Sequence, residues 1–330
     1  MRLVTHLQNL RYLIGFTGTS GFMLMEGKKN WFFTDFRYKG FAEELEKSKT
    51  RVPFRFVEVN KNFEQELEKR AKGRIEFESR HMAVDELKAW KKRLKNSFVP
   101  MKHPIEELRL IKDRDEIKKL KKSQEINEET LKRVLKLLRP GITELEIAWR
   151  IKVIGHDLGA EDISFEPIVA FGPHSAVPHH QNSATKLKPN NVVLIDMGMK
   201  FQGYCSDMTR TFLPKKPTTE QIKIYEKVLR AQTLAIEALK AGVKCAKLDE
   251  IARKSMEKDA HSFGHSLGHG IGLDVHEAPN LSSHSKDILK KGMVVTVEPG
   301  IYLPGKFGVR IEDMGLVTKT GYDNFTQFEK

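Results

Sequence analysis

Two stretches of the chain share one frame, and that frame constrains the fold more than anything else in the 330 residues. They are NNVVLIDMGMKFQGYCSDMTRTF (190–212) and GMVVTVEPGIYLPGKFGVRIEDMGLV (292–317). In each, an apolar run ends in a carboxylate, a turn follows, and a return strand carries a second carboxylate. Asp196 and Glu298 close the runs Val192–Ile195 and Val294–Val297, with Gly198 and Gly300 two residues further on. Asp207 and Glu312 lie on the return strands. A turn at Phe201–Gln202 sets Asp196 across from Asp207, and one at Pro304–Gly305 sets Glu298 across from Glu312. Directly opposed residues hold their Cβ atoms about 4.5–5.5 Å apart, so carboxylates in that arrangement repel unless a cation lies between them. A single such hairpin reads as ordinary solvent-facing acids. Two in a repeated frame point to ligands for a pair of divalent cations.

A helical pattern repeats in step with the hairpins. PGITELEIAWRIKVIG (140–155), whose Thr143 and Glu146 have capping-box spacing, is echoed by AGVKCAKLDEIARKSMEK (241–258). The helix–hairpin order thus occurs twice, about a hundred residues apart. This is an internal duplication with one carboxylate hairpin per copy, and it predicts a site where the copies meet.

Histidines cluster shortly before each hairpin. VAFGPHSAVPHHQNS (169–183) carries His174, His179 and His180; HSFGHSLGHGIGLDVHEAP (261–279) carries His261, His265, His269 and His276. His269 is the first choice for the one imidazole that a carboxylate-rich centre takes. It approaches His276 only if the strand bends or bulges at the intervening glycines. His174, His180 and His261 are read as loop histidines with satisfied hydrogen bonds.

The N-terminal third alternates strand and helix signals: a hairpin around EGKKN, a strand at RVPFRFVEV, and helices at FAEELEKSK, NFEQELEKRAKG and MAVDELKAWKKRLKN. Asp35 and Arg37 are expected on one strand face as a surface ion pair. Gly15, Gly18 and Gly21 make no phosphate loop, since no P-loop lysine follows. FVPMKHP (98–104), with two prolines, reads as a linker, giving domains 1–104 and 105–330.

Net charge is +13, but the lysines are scattered beside glutamates on predicted helices, which suits solvated faces better than a nucleic-acid groove. No run reaches the ~18 apolar residues of a membrane span, and the start, MRLVTHLQNLRYLIGF, lacks a signal-cleavage pattern. Cys205 and Cys245 have no metal-site spacing, and Cys205 reads as a core filler. A cytoplasmic location is the expectation.

The ordered set of two aspartates, HSLGHGIGLDVHE, TVEPGIY and GVRIED resembles the M24 metallopeptidases. PHH, LIDMG, GYCSDMTRTF and the extra N-terminal domain look like the Xaa-Pro aminopeptidase and prolidase branch. Methionine aminopeptidases share the ligands but normally lack that domain and the GVRIED wording. The resemblance implies an α/β (α+β) chain: a C-terminal pita-bread fold of pseudo-twofold halves behind a smaller creatinase-like α/β domain. Relatives usually carry another helix before this chain's start, so the N-terminal domain is expected to lack its first helix.

Carried over position by position, the resemblance implies that Asp196 chelates one metal. Asp207 and Glu312 would bridge both, and His269 and Glu298 would complete the second. His276 matches the histidine that contacts the scissile carbonyl, and Glu298 the residue often given a proton-shuttle role. His179 and His265 match histidines lining the substrate site. His179 is preferred to His180, where the family often has PHG, because it keeps the spacing to Asp196. Arg310 sits where an arginine steadies Glu312. The implied enzyme removes an N-terminal residue that precedes proline, with prolidase as the alternative and a non-catalytic binding protein the remote one. Oxygen-rich ligation favours Mn²⁺, ahead of Co²⁺, Zn²⁺ and Fe²⁺. Relatives are commonly dimers, so a homodimer is expected.

Overall fold

The computed structural model describes residues 1–330 and divides into two compact units, Met1–Arg109 and Leu110–Lys330. The first is built on a six-stranded mixed sheet, in the order Arg55–Glu58, Lys29–Thr34, Phe22–Glu26, Arg2–Val4, Ile75–Phe77 and Phe98–Pro100. Alternation along the strands feeds two separate cores. Val4, Met23 and Phe32 pack in one, while Leu3, Leu24 and Phe33 pack in the other. The hairpin and helices expected here are present. Two expectations fail locally. Phe98–Pro100 is not a linker but the edge strand of the sheet, where proline's missing N–H costs no ladder bond. Asp35 is not on a strand; it accepts from Arg37 N and caps the turn Phe36–Tyr38, keeping its ion pair with Arg37 at 2.8 Å.

In the second unit the duplication is visible bond for bond. Helix Glu144–Asp157 follows Gly141 (φ 94°), and helix Cys245–Met256 follows Gly242 (φ 90°). Gly141 N donates to Leu187 O and Gly242 N to Leu289 O, at 2.9 and 2.8 Å. Glu144 N donates to Thr185 O, and Cys245 N to Asp287 O. Thr143 makes the predicted capping box with Glu146. Each copy packs its helices over its own sheet. In the first, Val193–Met197 runs between Ile168–Phe171 and Met208–Phe212. In the second, Val294–Val297 lies between Gly268–Gly270 and Asp313–Val317. No helix is long and apolar enough to cross a membrane. Both cysteines are buried free thiols, and Cys205 places its sulfur 3.6 Å from Leu273 O.

The first hairpin turns one residue later than expected, at Gln202–Gly203, with φ of 48° and 87°. Two successive positive φ values define the turn that matches strand twist, and they suit Gln-Gly far better than a bulky Phe201. The shift moves the register, so Asp196 pairs with Thr209 rather than Asp207. Asp207, two residues before Thr209, keeps to the same face as a diagonal neighbour of Asp196. The second hairpin has the expected register: Val297 pairs with Asp313 and Gly300 with Arg310, which brackets Glu298 against Glu312.

Candidate metal centre

The five carboxylate and imidazole ligands predicted from sequence converge between the two copies. Asp207, His269 and Glu312 each offer one ligand atom, and these atoms lie within 4.8 Å of one another. His269 Nε2 stands 3.3 Å from Glu298 Oε1 and 3.7 Å from Asp207 Oδ2. Asp196, Asp207 and Glu312 are 8, 4 and 2% exposed, and each keeps one buried oxygen, Asp196 Oδ1, Asp207 Oδ1 and Glu312 Oε1, without a hydrogen-bond donor. Buried carboxylate oxygens are normally satisfied, so three orphans on acids that act electrostatically on one another call for a cation.

The imidazole is prepared in the same sense. His269 Nδ1 lies 3.0 Å from Gly270 O and donates to it, which leaves the Nε2 lone pair facing the carboxylates. Burial first, and then the neighbouring His276, push His269 down to about 4, so the ring is neutral. A neutral lone pair against carboxylate oxygens is repulsive until a metal ion takes both.

Burial is also the main cause that pushes Asp207 and Glu312 well above the usual carboxylate range, and the surrounding carboxylates add to it. Burial and the charge of Asp196 raise Glu298 to about 8 against the opposing pull of Arg310. Three acids that resist ionisation together are what a dinuclear centre looks like before its charge is balanced. The donor set of four carboxylates and one imidazole fits hard or borderline divalent ions.

Arg310 does not touch Glu312 directly. Its Nη2 lies 2.6 Å from Asp196 Oδ2, its Nη1 2.8 Å from Tyr302 Oη, and its Nε 3.0 Å from Thr209 Oγ1. The Thr209 hydroxyl in turn donates to Glu312 Oε2 at 2.8 Å, so the arginine reaches that ligand through a threonine. The second hairpin uses the same device. Thr296 Oγ1 accepts from His269 N at 3.1 Å and faces Glu298 Oε1 at 3.4 Å. Sequence reasoning missed both threonines and Tyr302. Period two along the strands was the available signal: Thr209 lies two residues after Asp207, and Thr296 two before Glu298.

The remaining histidines separate by environment. His276 comes within 4.4 Å of His269, ring to ring, because a bulge between His269 and Gly270 breaks the strand as the glycines suggested. His179 is exposed; burial is the main cause that depresses His265 and His276, and His179 is among the neighbours that add to it. His265 has both nitrogens engaged, Nδ1 with Ser266 O at 2.9 Å and Nε2 with Tyr302 Oη at 2.8 Å. It therefore presents a ring surface rather than a free nitrogen. Gly300 leaves the room, since a Cβ there would come 2.6 Å from the Tyr302 hydroxyl. His174 and His180 both bind Glu144, and His261 bonds Lys258 O, so all three are satisfied as expected.

Comparison with known proteins agrees with this geometry. The profile of metallopeptidase family M24 matches residues 118–319, and that of the creatinase/prolidase N-terminal domain matches residues 1–111. An uncharacterized peptidase of Bacillus subtilis, YqhT, is 36% identical over 99% of this chain and 94% of its own length. Among solved structures, the Xaa-Pro dipeptidase from Bacillus anthracis superposes with a TM-score of 0.95. It is 37% identical, covering 100% of this chain and 93% of its own. The X-Pro aminopeptidase from Thermotoga maritima MSB8 gives 0.91 at 33% identity, over 99% and 95%. The chain is an M24 metallopeptidase of the prolidase and aminopeptidase P group, a hydrolase whose pita-bread catalytic unit follows a creatinase-like N-terminal domain.

Proposed function

We propose that the protein is an Xaa-Pro aminopeptidase, hydrolysing the bond between an N-terminal residue and a following proline. The observation that carries this reading is the ring of orphaned carboxylate oxygens around a neutral imidazole lone pair, with His179, His265 and His276 beside it. Asp196 would hold one divalent ion, Asp207 and Glu312 both, and His269 and Glu298 the second. When bound, the pair supplies Lewis acidity toward a peptide carbonyl and lowers the pKa of water. Mn²⁺ suits a set so rich in oxygen.

The chain's own groups carry the rest. His276 is placed to donate to the carbonyl oxygen as negative charge develops there. Glu298, on the rim of the same centre, would take up a proton and return it to the leaving nitrogen. That delivery matters for proline, whose amide nitrogen carries no hydrogen of its own. His265, locked between Ser266 and Tyr302, would form a wall for the substrate. Arg310 and Thr209 keep Asp196 and Glu312 oriented. In this reading the enzyme works in the cytoplasm as a homodimer, with peptides and not nucleic acid as its partners.

The alternative is an Xaa-Pro dipeptidase, favoured by the likeness to the Bacillus anthracis protein of that name. A dipeptidase needs a cation for the substrate's C-terminal carboxylate. Arg310 is committed to Asp196 and Tyr302, and Arg253 to Asp249 and the carbonyls of Phe263 and His265. Both engagements favour longer peptides. Xaa-Pro-Xaa and Xaa-Pro peptides offered side by side decide the matter: cleavage of the tripeptide is expected, and activity confined to dipeptides would hand the case to the alternative.

A further inference from the structure

Glu144 is fully buried, yet it is no part of the metal centre. Its Oε1 accepts from Phe171 N at 2.9 Å and His174 Nδ1 at 2.8 Å. Its Oε2 accepts from His180 Nε2 at 2.9 Å, Ser183 N at 3.0 Å and Ser183 Oγ at 2.8 Å. Every one of these donors belongs to 171–183, the end of one strand and the loop after it. Burial pushes the Glu144 carboxyl up, but the bonds from His180, Phe171, Ser183 and His174 more than reverse this and keep it ionised. With five donors on two oxygens, no coordination site is left for a metal ion.

The duplication supplies an internal control. The position equivalent to Glu144 in the second copy is Cys245, which makes the matching backbone bond and packs in an apolar core. The helix start therefore needs no carboxylate, and Thr143 with Glu146 already caps the first copy. What the first copy has in addition is a loop carrying His179. That loop is pinned at its far side too. Gly308 N donates to Ser175 Oγ at 2.8 Å, and Arg310 Nη1 approaches Pro178 O at 3.4 Å. His179 stands between Pro178 and His180, the residues held by Arg310 and Glu144.

We propose that Glu144 is a positioning residue for substrate: by gripping His174, His180 and Ser183 it fixes the 172–183 loop so that His179 faces the peptide. This rests on the reading of His179 as a substrate-site residue of an Xaa-Pro peptidase. Charge-assisted bonds from two imidazoles suit the task, because they fix direction as well as distance. Glu144→Gln keeps the size, but its amide N–H groups must face donors that an ionised carboxylate had satisfied.

The test is a double-mutant cycle with an activity-independent readout beside it. Glu144→Gln and His179→Ala should each lower kcat/KM about 10- to 100-fold, chiefly through KM, with metal content unchanged. The double variant should fall within about threefold of His179→Ala alone, because the clamp then has nothing left to position. Amide hydrogen exchange across 172–183 should accelerate about tenfold in Glu144→Gln while Glu144–Asp157 exchanges as before. If Glu144→Gln does not fold, His180→Gln loosens the same grip and takes its place in the cycle. Losses that multiply in the double variant, or unchanged exchange in the loop, would overturn the proposal. Wild-type protein inert toward Xaa-Pro peptides, or His179→Ala with full activity, would end the reading of the site. The exchange rates would then still show whether Glu144 holds the loop.

Discussion

The hydroxyl of Thr209 donates to Glu312 Oε2 at 2.8 Å and accepts from Arg310 Nε at 3.0 Å. One small side chain thus couples Glu312, a candidate ligand on one hairpin, to the guanidinium that holds Asp196. Thr209→Val keeps the shape and removes both bonds. Groups that orient metal ligands typically contribute 10- to 100-fold to metal affinity, so a loss of about that size is expected by calorimetric titration with Mn²⁺. The metal-free variant should also lose about 1–3 kcal/mol in denaturant unfolding, because Arg310 Nε is left without its acceptor. Unchanged affinity would show that the carboxylate is held by other means.

The metal-free protein should become less stable as pH rises from about 6.5 to 8. Glu298, raised from 4.5 to about 8 mainly by burial, keeps a proton there that the unfolded chain has released. Stability falls with pH wherever the folded state binds more protons. Asp207 and Glu312 are raised too and act in the same direction. His265 and His269, lowered from 6.5 to about 4, and His276, also lowered, act oppositely, but mainly below about 6.5, so the acids dominate the upper window. Glu298 alone contributes up to about 2 kcal/mol across it. Thermal melts after chelation should show this decline, and excess Mn²⁺ should abolish it by replacing the protons. A metal-free Tm that climbs over the same range would contradict the burial of these acids.

Arg210 carries a different load. Its guanidinium is 1% exposed, donates to Glu312 O and Phe328 O at 2.6 and 2.7 Å, and pairs with the fully buried Asp313 at 2.9 Å. Arg210→Met removes the larger partner of a buried ion pair: Lys330 and Asn324 still reach Asp313 Oδ2, but Oδ1 loses the guanidinium. A loss of about 3–5 kcal/mol in stability is expected, together with weaker metal binding through the Glu312 backbone. A variant that unfolds at the wild-type denaturant midpoint would refute this.

How much of this was legible in the sequence depended on range. Asp196 and Glu298 stood out because each ends an apolar strand, and a carboxylate there is costly without a partner. The register of the first hairpin was misread because turn chemistry decides it: Gln202 and Gly203 accept positive φ, and one residue of slip exchanges Asp207 for Thr209 as the partner of Asp196. Thr209 and Thr296 were hidden by being ordinary strand formers, although both lie at period two from a ligand. Glu144 could not be read at all. Beside a capping box it looks like one more acid in a first helical turn, and its partners lie 27 to 39 residues away. Local pattern picked out the candidate ligands; the groups that hold them depend on contacts that only the fold brings together.

The most direct test of the central claim is cleavage of an Xaa-Pro-Xaa tripeptide by metal-stripped protein with Mn²⁺ added back, beside Asp207→Ala. The account predicts that Mn²⁺ restores cleavage before proline in the wild type and that the variant, lacking a ligand shared by both ions, stays silent. A wild-type protein that takes up no divalent metal and leaves the peptide intact would contradict it.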